Sequence, residues 1–323
     1  LSLKYESYKL FSADEDWSEL NLYNTEPEKV TDFVVDASDI PSSLKKAVTV
    51  TLTGEWDSDA FNLLSMALGN NGGLFVTTNA TLVTLDMSRI KVAENTPLWR
   101  QGLKEYGIFN NCTALEKVIM PTAEEAGHFT KLNKAFEGCT ALRDIDLSLL
   151  TGATDIEAAF KGTAIEKADL SGCTSLGSTV GAFEGCAALQ EVILPACFVA
   201  DNYTFADCTG LKLIDYTAYT DTQDAPAVKN NTFSGIDDLK AVTLKVSGLN
   251  HELFEAHKIW SDFDIEYDAS GISGMKSDGK GKPITVYTMD GRYVGTYAPG
   301  TDWRSYLPQR GVYIVDGKKM IRK

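Results

Sequence analysis

Histidine is nearly missing from this chain: three residues among 323, at His128, His251 and His257. That scarcity sharply limits imidazole catalysis and metal centres built on imidazole. His251 and His257 stand six apart with Glu252 and Glu255 between them, a spacing that does not put both rings on one helical face, so surface histidines are expected rather than a zinc site. Long apolar runs are also missing. No stretch approaches the roughly 18–20 consecutive apolar residues of a membrane-spanning helix, and no basic amphipathic segment marks a surface helix. Positive charge is short: 30 Lys and Arg against 45 Asp and Glu leave a formal net of −15, a field that repels phosphate backbones and argues against nucleic acid as a partner. Cys112, Cys139, Cys186 and Cys208 have no adjacent His and form no Cys-x-x-Cys pair, so free, buried core thiols are expected. Stacked units would still bring Cys112 near Cys139, or Cys186 near Cys208, within disulfide reach. The stretch Gly274-Met-Lys-Ser-Asp-Gly279-Lys280-Gly281 nearly spells a phosphate-binding loop, but Gly281 stands where magnesium would need Ser or Thr. With no dyad, triad or cofactor motif, a non-enzymatic protein without cofactor or metal is expected. The first residue is Leu1 rather than Met, as expected where a leader has been removed.

What the chain does have is apolar content, 44% of residues, arranged with a period. The blocks Phe109-Asn-Asn-Cys112-Thr-Ala-Leu115-Glu-Lys-Val118-Ile-Met120 and Phe136-Glu-Gly-Cys139-Thr-Ala-Leu142-Arg-Asp-Ile145-Asp-Leu147 superimpose without a gap. Blocks starting at Phe183, Phe205 and Phe233 follow the same pattern, and one at Phe160 is a residue shorter with Thr163 in the cysteine slot. Successive phenylalanines are 27, 24, 23, 22 and 28 residues apart, the period of a leucine-rich repeat. Alternation at the end of each block predicts a short strand with Val118 and Met120 inward, Lys117 and Ile119 outward. One such coil cannot bury its own apolar side, so the coils must stack on a shared ladder of Phe, Leu and Ile. Gly138, Gly185 and Gly235 read as tight turns, and Pro121 and Pro195 as strand stops.

The expected fold is therefore an α/β leucine-rich repeat solenoid with short parallel strands, one per repeat, over residues 96–270. Residues 1–95 are expected to form an N-terminal cap: Val48-Thr-Val50-Thr-Leu52 alternates as a strand, Ala60 to Leu68 reads as a helix, and Leu82-Val-Thr-Leu85-Asp-Met87 repeats the strand pattern. Residues 271–323 carry ten Lys and Arg against four Asp, a charge step that marks a domain boundary. Past the Gly, Ser and Lys-rich linker 271–282, two β-rich pairs flank Asp290-Gly291 and Asp316-Gly317, turn signals for a small antiparallel β-domain.

Read down the stack, the outward strand positions are Lys117, Asp144, Lys167, Glu191 and Leu213 beside Ile119, Asp146, Asp169, Ile193 and Asp215. With strands about 4.8 Å apart, Asp144, Asp146 and Asp169 are expected to crowd, with Lys167 in partial compensation. Lys117, Asp144, Asp146, Lys167, Asp169, Glu191 and Asp215 are the candidate partner-binding residues, for a protein ligand on a host or bacterial surface or, as a second reading, a glycan. Trp56, Trp99, Trp260 and Trp303 are too scattered to read as an aromatic platform for sugar.

The motif Ala-Phe-x-Gly-Cys-Thr-Ala-Leu-x-x-Ile-x-Leu-Pro, spread over residues 109–244, resembles the BspA-like leucine-rich repeats of Bacteroidetes surface proteins. Leu52-Thr-Gly-Glu-Trp-Asp-Ser-Asp-Ala-Phe61 looks like the segment that opens the solenoid there. Val286-Tyr-Thr-Met-Asp-Gly-Arg292, Gly311-Val-Tyr-Ile-Val315 and Gly317-Lys-Lys-Met-Ile-Arg-Lys323 are similar to C-terminal sorting domains of the type IX secretion route. The resemblance implies a secreted or outer-surface location, with adhesion or host-protein binding as the role.

Overall fold

A computed structural model describes residues 32–69, 79–100, 106–268, 284–288, 293–297, 311–315 and 318–322. The linker, the near phosphate-binding loop and both Asp-Gly turns lie outside these residues. Strands β1 (Asp32–Asp36), β2 (Thr49–Trp56), β3 (Thr84–Val92) and β6 (Lys117–Ile119) form one parallel sheet in that order. A second parallel sheet runs β11-β10-β9-β8-β7, with β7 at Lys167–Asp169, β8 at Glu191–Ile193, β9 at Leu213–Asp215, β10 at Thr243–Ser247 and β11 at Asp264–Asp268. A short antiparallel pair, β4 (Trp99–Arg100) and β5 (Tyr106–Gly107), stands beside them. The architecture is a repeat solenoid whose strands, coil after coil, run parallel.

The strand signal was period two, and the inward slot shows why it holds. Val50, Leu85 and Val118 are register partners in the first sheet, and Ala168, Val192, Ile214, Leu244 and Ile265 in the second; all but the half-buried Ile265 are buried. Behind this row runs a stack of rings. Phe109, Phe136, Phe160, Phe183, Phe205 and Phe233 follow one another with centroids 5.3–5.8 Å apart and planes within 9–14°. Fully burying one such ring stabilises by roughly 1.5–3 kcal/mol. The spine is closed at both ends. Phe61, on helix α1 (Ser58–Ala67), meets Phe109 edge-on, and Phe233 packs on Trp260 and Phe263. One core cluster therefore runs from Val35 to Phe263.

The turn that leaves each phenylalanine requires a left-handed residue two positions on. Gly138, Gly162, Gly185 and Gly235 supply it, with Asn111 and Asp207, the residue types that tolerate that region best, in the remaining two coils. After the turn comes the cysteine slot, where the expected free thiols are found: Cys112, Cys139, Cys186 and Cys208 are buried and unbridged. The Cys139, Cys186 and Cys208 thiols donate at 3.0–3.1 Å to the carbonyls of Phe109, Phe160 and Phe183 in the preceding coil. Burial raises all three thiols above their ordinary range. Thr163 fills the same slot by donating to Phe160 O at 2.8 Å.

One strand per repeat does not hold everywhere. In the Phe136 coil the strand shrinks to a single bridge, Lys117 with Asp144, and the two sheets are separate there. Toward the C-terminus, β12 (Ile284–Thr288), β13 (Tyr293–Tyr297), β14 (Gly311–Val315) and β15 (Lys318–Arg322) form the expected antiparallel sheet, ordered β13-β12-β14-β15. The two hairpins are joined edge to edge by β12 and β14.

Candidate functional site

The outward strand positions line up as the alternation requires. Lys117 pairs with Asp144 across the bridge at 2.6 Å, and Lys167 with its register partner Glu191 at 2.8 Å. Both pairs are solvent-exposed and worth about 0–1 kcal/mol each. Glu191 holds the Lys167 ammonium above its ordinary pKa, chiefly through its hydrogen bond and against the opposing effect of desolvation. Within the expected cluster Asp144 turns back to Lys117 and Lys167 forward to Glu191, while Asp144, Asp146 and Asp169 line one recess with Lys167, and Asp169 also raises the pKa of its ammonium.

Asp146, Asp169 and Asp215 have another task. Each ends its strand position by accepting, on Oδ1, the N–H and the hydroxyl of the residue two further on: Ser148, Ser171 and Thr217, at 3.0 Å and 2.6–2.7 Å. Asp36 with Ser38 repeats the turn on β1, and there the Ser38 hydroxyl and N–H, with the Thr53 hydroxyl, hold the carboxyl below its usual pKa. Asp86 accepts Ser88 N–H at 2.9 Å. Where Ile119 and Ile193 occupy the position, proline follows two residues later, at Pro121 and Pro195. Strands thus exit by Asp-x-Ser/Thr or by Ile-x-Pro. The acidic residues are turn-formers first, but among the described residues no bond is found to Oδ2 of Asp146, Asp169 or Asp215, which leaves a charged oxygen free.

The result is two runs of outward positions in register, Asp86 with Ile119 in the first sheet and Asp169, Ile193, Asp215, Lys245 and Glu266 in the second, with Asp146 in the interrupted coil between them. Lys245 and Glu266 were missed from sequence because they follow the last clear repeat. The alternation Leu244-Lys-Val246 was the signal that could have found them. Leu213, beside this row, is half-buried.

Other polar clusters in the described residues are committed to structure. His128 Nδ1 bonds Val92 O at 2.6 Å while Glu125 Oε2 accepts Val92 N–H at 2.6 Å, which fastens the short helix α2 (Ala123–Ala126) to the end of β3. His257 Nδ1 accepts the N–H of Ile259 and Trp260, and His251 stacks on Tyr267 with centroids 3.8 Å apart. Among the described residues no group of three or more His, Cys, Asp or Glu is placed to hold a metal ion. Trp56 and Trp260 are fully buried in the two closures of the spine, which removes them from any sugar platform. No helix among the described residues is long and apolar enough to cross a membrane.

No curated protein and no solved structure matches the chain. Part of the chain matches a known family, and the Phe233 block lies beyond that part. Residues 105–222, which hold the Phe109 to Phe205 coils and the strand row from Lys117 to Asp215, match the BspA type leucine-rich repeat region in six copies.

Proposed function

We propose that the chain is a secreted or outer-surface, non-enzymatic binding protein that engages a protein partner, on a host or bacterial surface, through the strand row. Leucine-rich repeats generally mediate protein interactions, and those of the matched type are often surface-associated. The observation that carries the reading is the free Oδ2 atoms of Asp146, Asp169 and Asp215 set among aliphatic Ile119 and Ile193 over one shared buried core. They offer charge and apolar contact over many strands, the form of surface repeat proteins use for extended partners. The C-terminal antiparallel sheet, with its excess of Lys and Arg, is in keeping with a sorting tail in this reading. Residues 1–95 serve as the cap, 96–270 as the binding solenoid and 271–323 as the exported tail.

The test exploits the turn chemistry. Asn keeps the Oδ1 acceptor that each turn needs and removes the charge, so the triple variant Asp146→Asn, Asp169→Asn, Asp215→Asn should fold as the parent does. Binding to an immobilised extracellular-matrix extract, measured by surface plasmon resonance, is expected to weaken roughly tenfold, as for the loss of rim charges that steer association. Unchanged binding by the folded variant would remove the carboxylate row from the interface.

A further inference from the structure

We infer that the stack is jointed: the seam between Ile145 and β7 is a hinge that opens on the strand side while the phenylalanine side stays strapped. This rests on the bonding and packing at the seam and stands whether or not the strand row is the recognition face.

On the far side of β7 the strand row is tied in full. Gln190 and Glu191 N–H donate to Glu166 O at 2.8 and 3.2 Å, and Leu170 N–H to Ile193 O at 2.9 Å. At the seam the equivalent donors are the N–H groups of Lys167, Ile145, Asp169 and Leu147, and none has a backbone acceptor across it. The one backbone tie is Ala164 N–H to Leu142 O at 2.9 Å, upstream of the strands, and downstream the Cys173 thiol reaches Leu147 O at 3.8 Å. The side chains pull the same way, because Asp144 is paired backward with Lys117 and Lys167 forward with Glu191. A cavity of about 590 Å³ opens between them, bounded by Ile145, Asp146, Glu166 and Lys167.

The phenylalanine side is different. Phe136 N–H donates to Ala159 O and Gly138 N–H to Lys161 O, both at 2.8 Å, Lys131 bridges Asp155, and the Phe136 and Phe160 rings stay stacked at 5.8 Å. Two coils bonded along one side and unbonded along the other can change only the angle between them.

The cause is legible in the residues. The Phe160 coil has one residue between Thr163 and Ile165 where the Phe136 coil has two between Cys139 and Leu142, so its strand is drawn away. Its inward slot also holds Ala168, where adjoining coils have Val118, Ile145, Val192 and Ile214. Ile145 accordingly is only half-buried, while Val118, Val192 and Ile214 are buried.

Amide hydrogen exchange on the full chain tests this. The N–H groups of Ile145, Leu147 and Asp169 are expected to exchange at least roughly tenfold faster than those of Val118, Leu170 and Leu194, whose bonds lie in the same strand row, because local opening sets exchange. Equal protection at all six would overturn the hinge. Ala168→Val, a residue the neighbouring Val192 slot already holds, is expected to slow exchange at Ile145 and Asp169 and leave Leu194 unchanged. A folded Ala168→Val protein with no slowing would overturn the assignment of the opening to this undersized slot.

Discussion

Replacing Phe160 by alanine is expected to lower the unfolding free energy by about 3–5 kcal/mol, the cost of a large cavity in a core that cannot collapse. Phe160 is fully buried, with Phe136 at 5.8 Å on one side and Phe183 at 5.4 Å on the other. Collapse is blocked by the backbone. Phe160 N–H donates to Ala182 O at 2.9 Å and Gly162 N–H to Glu184 O at 2.8 Å, bonds that fix the coil spacing and hold the cavity open. Against a typical total of about 5–15 kcal/mol, the loss would leave a marginal protein. Urea titration followed by circular dichroism measures it, with Phe160→Leu as the comparison that keeps most of the volume. A loss under about 1 kcal/mol would mean that the ring stack is not the source of cohesion.

The second large effect is steric. Gly172 has no side chain because the preceding coil lies against it: an added Cβ would collide with the Ser148 carbonyl, and Gly152 meets the Gly127 carbonyl in the same way. Gly172→Val therefore forces two coils apart at the backbone, and a cost of at least about 3 kcal/mol or failure to fold is expected, at the upper end of overpacking. Gly162 is the contrast. Its φ is +71° and a Cβ there would touch nothing within 4 Å, so Gly162→Ala should cost only the left-handed backbone penalty of about 1–2 kcal/mol. Thermal melts of the two variants separate the causes; similar losses would show that coil contact at Gly172 is looser than the geometry has it.

These two glycines mark how far sequence reading reaches. The Phe period and the alternation after it dictate stacked coils, because both report local periodicity, and the Gly-before-Cys turn follows from the need for positive φ. Gly172 belongs to a closeness between coils that no local pattern encodes. The candidate site divides the same way. Outward positions were legible from period two, but the partner of each charge was not, since Lys117 and Asp144 meet only through a register set elsewhere. The turn role of Asp146, Asp169 and Asp215 was written in the Asp-x-Ser/Thr spacing and was passed over for charge crowding. The fastening of Val92 by Glu125 and His128 joins residues more than 30 apart, and the burial of Trp56 and Trp260 depends on which elements close the stack. The missing residue beside Thr163 was visible in the repeat, but its consequence, the interrupted ladder, required the neighbouring coils.

The central claim, that the strand row is where a partner seats, is tested most directly by photo-crosslinking. A benzophenone amino acid placed at Ile193, in the row, and in a second protein at Tyr203, an exposed residue of the phenylalanine-bearing turn, is irradiated on an extracellular-matrix extract. The account predicts covalent capture from position 193 and none from position 203; capture from 203 with none from 193 would contradict it.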